Sequence, residues 1–182
     1  MNQEMGRLLI SALAIAVVVA AAAVAPMIAS GAKPEHAFHS ESSTDPDFCG
    51  TGASVDVFFE SIFTASDRNG VIKTEHQGSF TYTYGDTSVV VSFAGQFIDT
   101  IVATGTGGEE THQLISKGIT EKIQVPNGPV LSLDAGVIVE LVTVQDGNVI
   151  SDQIVSTNGQ HPEAASGGSL FCEVLPRALG IT

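Results

Sequence analysis

Tryptophan is absent, cysteine and tyrosine occur twice each, and only 7 of the 182 residues are Lys or Arg. The shortage of base excludes most. Against 20 carboxylates it leaves a formal charge of −13 and a pI near 4.5. Phosphate recognition needs clustered cations, so nucleic-acid binding is not a class this chain fits. Heptads, collagen triplets and a second long apolar run are missing too, which excludes coiled-coil, fibrous and multi-span membrane classes. The chain has no Gly-x-Ser-x-Gly elbow, His-Glu-x-x-His, Cys-x-x-Cys or phosphate loop ending in Gly-Lys-Ser/Thr. The glycines of 105–108 run into Glu109 and Glu110, whose charge repels phosphate, so they read as a hairpin tip. No cofactor and no metal are implied.

What is present begins with an export signature. Residues 8–25 read LLISALAIAVVVAAAAVA, with Ser11 as the only polar side chain and Arg7 as the positive flank. Ser30-Gly31-Ala32 offers a cleavage site, so 1–32 is expected to be a signal peptide. The alternative is an uncleaved anchor, because a run of this length is also a marginal membrane span. In either case the folded part is expected outside the cytoplasm, secreted or tethered, with membrane contact only through this segment. Cleavage removes Arg7 and Glu4 together and leaves the net charge unchanged. The text that follows, GAKPEHAFHSESSTDPD, is polar and poor in β-branched residues, so 33–47 reads as a flexible polar linker. Glu35, His36, His39, Glu41, Asp45 and Asp47 could meet a divalent ion, but nothing there fixes a geometry, and a solvated tether is expected.

Cys49 and Cys172 lie 123 positions apart. In an exported protein two lone thiols most often pair. Closing so long a loop removes about 5 kcal/mol of unfolded-chain entropy. The alternative is a pair of buried free thiols.

From Phe48 onward the pattern has period two, broken by turn residues. Val55, Val57, Phe59 and Phe63 share one strand face; Phe80, Tyr82 and Tyr84 share another. Asn69-Gly70, Gly85-Asp86 and Asp146-Gly147 are hairpin signals. Gly95 interrupts its strand as a bend or bulge, and 137–144 is apolar on both faces except at Glu140. Helical periodicity is confined to short pieces at 163–165 and 176–179. The pattern predicts an all-β domain over 48–177 with a tail at 178–182: a single antiparallel up-and-down barrel of about eight strands, or a two-sheet sandwich.

Polar groups on otherwise apolar strands are the candidates for a ligand site. His76 shares parity with Ile72, Phe80 and Tyr82, and His112 with Leu114. Glu140 sits between Val139 and Leu141, and Asp99 between Ile98 and Thr100. Inside a barrel, His76, Tyr82, His112 and Glu140 could orient a ligand, and a desolvated carboxyl there would have a raised pKa. Exposure is the default for these types, so the weightier expectation puts Glu140 on a water-facing edge strand and both histidines at the surface or rim. His161-Pro162 reads as a turn. Phe58, Phe59, Phe63, Phe80, Phe93 and Phe97 read as core.

Three stretches occur in order: Asp47-Phe48-Cys49-Gly50-Thr51-Gly52, then Pro126-Asn127-Gly128-Pro129-Val130-Leu131 with Asp134-Ala135-Gly136, then Gly159-Gln160-His161-Pro162-Glu163-Ala164 running to Phe171-Cys172-Glu173. Together they resemble the small exported actinobacterial proteins with a DFCGTG start and an HPEA…FCE end. The likeness covers residues 47–180. It implies export, one domain and two cysteines at these ends, and it carries no activity. Gly159-Gln160-His161-Pro162 departs from the Gly-Pro-His-Pro of those sequences, so that loop is not carried over as a fixed site. A looser likeness in fold is to allene oxide cyclase and dirigent-type barrels. The expectation is an exported β domain that binds a small apolar or amphiphilic ligand or serves the envelope. The rivals are a lumen-based isomerase or cyclase, and a structural or adhesion module.

Overall fold

The computed structural model describes residues 34–181, so the expected signal segment 1–32 lies outside the described residues. Seven strands follow one another: β1 (Glu35–Asp45), β2 (Val55–Arg68), β3 (Val71–Tyr84), β4 (Thr87–Thr104), β5 (Glu109–Gln124), β6 (Val130–Gln145) and β7 (Asn148–Gln160). Each pairs antiparallel with the next, in the order β1-β2-β3-β4-β5-β6-β7. The domain is all-β and built on a single meander. Among the described residues there is no second sheet, so the sandwich alternative is not what the chain forms. Asn69 and Gly70 (φ 56° and 77°) and Asp146 and Gly147 (φ 51° and 78°) make the tight turns their sequence announces.

Two boundaries differ from expectation. Residues 35–45, read as linker, form β1 and pair with β2 from Glu35↔Ala65 to Asp45↔Val55. Their composition is poor for a strand, but the edge of β2 offers a row of peptide groups, and pairing satisfies them. The expected tail is also ordered. A short helix, α1 (Pro162–Ala165), is followed by α2 (Leu170–Leu179), which runs through Pro176, and Ile181 beyond it is buried. Gly180, at φ 79°, ends α2, and the Ile181 N–H donates back to the Pro176 carbonyl at 2.9 Å.

α2 and the 3-10 turn Phe48–Gly50 form a wedge at one end of one sheet face. Phe48, Leu175, Leu179 and Ile181 pack there on Val55, Val89, Val91 and Ile123. Cys49 and Cys172 are joined by a disulfide, with Cα atoms 5.4 Å apart, which fastens the turn to the helix.

Register shows what else lies on that face. Phe59 pairs with Phe80, Phe80 with Val91, and Val91 with Ile123. Further from the wedge, Thr74 pairs with Phe97, and Leu114 with both Asp99 and Glu140. Ser61, Thr74, Phe97, Leu114, Glu140 and Val142 are buried there, although no described helix covers that half. A flat single sheet would leave them in water. The sheet is therefore coiled, with this face inside.

A row of glycines marks the bend. Gly95, Gly118, Gly136 and Gly159 are successive register partners across β4–β7. A Cβ on Gly118 (φ +119°) would meet the Gly95 Cα at 2.8 Å, and one on Gly136 (φ +143°) would meet the His161 Nε2 at 2.9 Å. The close approach at this row separates the wedge core from a smaller cluster of Phe97, Leu114 and Val142.

Gly136→Ala should therefore cost at least about 2 kcal/mol, from backbone strain plus displacement of His161; urea unfolding checks this. Replacing both cysteines with Ser should lower stability by about 2–5 kcal/mol in the same assay.

Candidate functional site

All four predicted ligand residues lie on the inner face, but the fold does not gather them into one site. Tyr82 belongs to the wedge core, with its ring 5.4 Å from Phe48 and 5.7 Å from Phe171. Burial, reinforced by the Glu121 and Asp45 carboxylates, pushes its hydroxyl pKa far above the ordinary value, so the phenol stays protonated.

His76 lies 5.7 Å from the Phe93 ring and pairs in register with Gly95. Burial lowers its pKa and favours the neutral imidazole, and its Nδ1 is sealed from water without a hydrogen-bond partner. His112 is held by carboxylates. Its Nδ1 is 2.8 Å from Asp99 Oδ1, and its Nε2 is 3.6 Å from Glu110 Oε2. Glu140 is only 7% exposed, which overturns the expectation of a water-facing edge residue. β6 is flanked by β5 and β7, and its even positions turn inward. Burial, followed by the nearby Asp152 charge, raises the Glu140 pKa to about 7. No hydrogen bond joins Glu140 to a histidine among the described residues.

Between the wedge and the Phe97 cluster the inner face is aromatic and only half-buried. Phe59 and Phe80 stack with centroids 4.6 Å apart. Phe93 lies 6.3 Å from the first and 6.0 Å from the second. Together with His76 these rings form a shelf across β2–β4. None of the described cations shares this face. Arg68, Lys73, Lys117 and Lys122 occupy outward strand positions, and Arg177 is exposed on α2.

One polar group was missed in the sequence. Asp134, 3% exposed, accepts from the Thr120 hydroxyl at 2.7 Å and pairs with His161 Nδ1 at 2.6 Å. The other His161 nitrogen lies 3.2 Å from the Asn158 carbonyl. With both ring nitrogens engaged, this imidazole ties the end of β7 to β6. Beside it, Glu121 pairs in register with Asp134, and one of its oxygens is buried without a partner. Burial first, then the Glu163 and Asp134 charges, raises the Glu121 pKa to about 8. The signal for this group was the alternation of Leu131 and Leu133 with Ser132 and Asp134. Here the polar set faces inward and the leucines are exposed.

Chemically, the inner face offers an aromatic shelf, a neutral imidazole at His76, a carboxylate–imidazole contact at Asp99–His112 and a protonatable carboxyl at Glu140 that is hydrogen-bonded to none of these. Among the described residues no group of three His, Cys, Asp or Glu is arranged to hold a metal ion. No described helix is long and apolar enough to cross a membrane. The Cys49–Cys172 bond indicates an oxidising, extracytoplasmic environment. No family model, curated protein or solved structure matches the chain.

The raised Glu140 pKa sets a sign. As pH rises from about 4.5, the unfolded carboxyl ionises while the folded one does not, so stability is lost until about pH 7 and levels above it. Glu140→Gln should flatten that slope and raise stability at pH 8, as read from urea midpoints at pH 5 and 8.

Proposed function

We propose that this protein is a secreted, non-enzymatic β module whose coiled sheet, an up-and-down barrel open between β7 and β1, holds a small apolar or amphiphilic molecule on its inner face. The observation that carries the reading is the shelf of Phe59, Phe80 and Phe93. Stacked rings left only partly buried on the inside of a coiled sheet are apolar area that a ligand could cover. An anionic head would find no inward cation among the described residues, so the fit is to a neutral or cationic amphiphile.

The isomerase or cyclase reading pairs the Glu140 carboxyl with an imidazole. No hydrogen bond joins Glu140 to His76 or His112 among the described residues, and the carboxylate that does touch His112 is Asp99, so the geometry lends more support to binding. An envelope or adhesion role draws its support from elsewhere: every residue of β7 is exposed, including Ile150, Ile154 and Val155.

Native mass spectrometry of the disulfide-bonded protein from its producing cells should find a small molecule retained, and Phe93→Ala should lose it. Ligand-free protein whose melting temperature no neutral or cationic amphiphile raises would end the binding reading.

A further inference from the structure

At the end of the inner face nearest the wedge, α1 lies against β6 and α2, and the groups around it are acidic. From β5 comes Glu121, 7% exposed; from β6, its register partner Asp134; from α1, Glu163. His161, immediately before α1, reaches Asp134 at 2.6 Å. Tyr82 of β3 faces the same group, with Asp45 of β1 nearby. Lys122 points to the other sheet face, while Glu173 and Arg177 on α2 are exposed. Three carboxyls thus lie near one another, of which only Asp134 touches the imidazole, and one Glu121 oxygen and the Ser132 hydroxyl have no partner. If all three carboxyls ionised, the group would hold an excess of negative charge away from water, at a cost that geometry must relieve.

The elements around it are not equally able to yield. β5 and β6 are laddered along their length. α2 is retained by the disulfide and by Leu175 and Leu179 in the core. α1 has four residues, none of them buried. It is tied down by the His161–Asp134 contact and by the Phe171 N–H, which donates to Glu163 Oε2 at 2.9 Å.

We propose that α1 is a proton-held latch. A proton on Glu121 keeps it docked over the end of the inner face, and loss of that proton releases residues 161–169 while the disulfide keeps α2 seated. Release lets water and small solutes reach Glu121, Ser132 and the neighbouring inner face. The inference does not depend on what the aromatic shelf binds. Burial raises the Glu121 pKa to about 8, so docking weakens as pH rises toward that value and levels above it.

Hydrogen exchange of the full disulfide-bonded chain at pH 6 and pH 9, with Glu121→Gln as the same-pH reference, tests this. The undocked carboxyl ionises at a lower pH than the docked one, so the ratio of wild-type to variant exchange over 161–169 should grow with pH up to about 8 and level above it, rising by at least about tenfold between pH 6 and pH 9, with α2 and β4 unchanged. Equal exchange at pH 9, or loosening that spreads through β5 and β6, would overturn the latch. Should Glu121→Gln fail to fold, Glu163→Gln serves instead. It removes one of the repelling charges and should slow exchange over 161–169 at pH 9, and unchanged exchange would again reject the proposal.

Discussion

The structure depends on the wedge that the Cys49–Cys172 bond pins to one end of the sheet. A single meander of seven strands has one face to bury and, among the described residues, only one helix of more than one turn with which to bury it. α2 covers just the end where β2, β4 and β5 present Val55, Val89, Val91 and Ile123. Without the cross-link, a ten-residue helix carrying Pro176 would be held there mainly by Leu175, Leu179 and Ile181. With it, helix and 3-10 turn dock as a unit, and the rest of the face must be protected by curvature instead.

That division accounts for the unusual interior. Where the wedge covers the sheet, burial is apolar. Beside α1, and where curvature alone excludes water, small and polar side chains reach the inside: Ser132 and Asp134 in the first place, Ser61, Thr74 and Glu140 in the second. Some are satisfied, as Asp134 is by Thr120 and His161. Others carry their burial as a shifted pKa, as Glu121 and Glu140 do. The glycine row across β4–β7 is the same constraint seen from the backbone, since strands this close leave no room for a Cβ at Gly118 or Gly136.

Much of this was legible in the sequence. The alternation of Val55, Val57 and Phe59, the Asn-Gly and Asp-Gly turns, and two cysteines bracketing the domain each carried a local physical signal. β1 was not legible, because its conformation comes from the partner strand and not from its own residues. α2 was obscured by Pro176 and by its shortness. The inward polar set failed for a different reason. Ser132 and Asp134 alternate with Leu131 and Leu133, and period two alone cannot say which of the two faces is inside. Likewise the glycines at 95, 118, 136 and 159 are scattered in the sequence and become a row only once register is known.

The pinned wedge is tested most directly by non-reducing peptide mapping of the purified protein. One cross-linked pair of peptides containing Cys49 and Cys172, with no free thiol after denaturation, is the result this account requires. A folded sheet in which either thiol remains free, or is bonded to a second molecule, would contradict it.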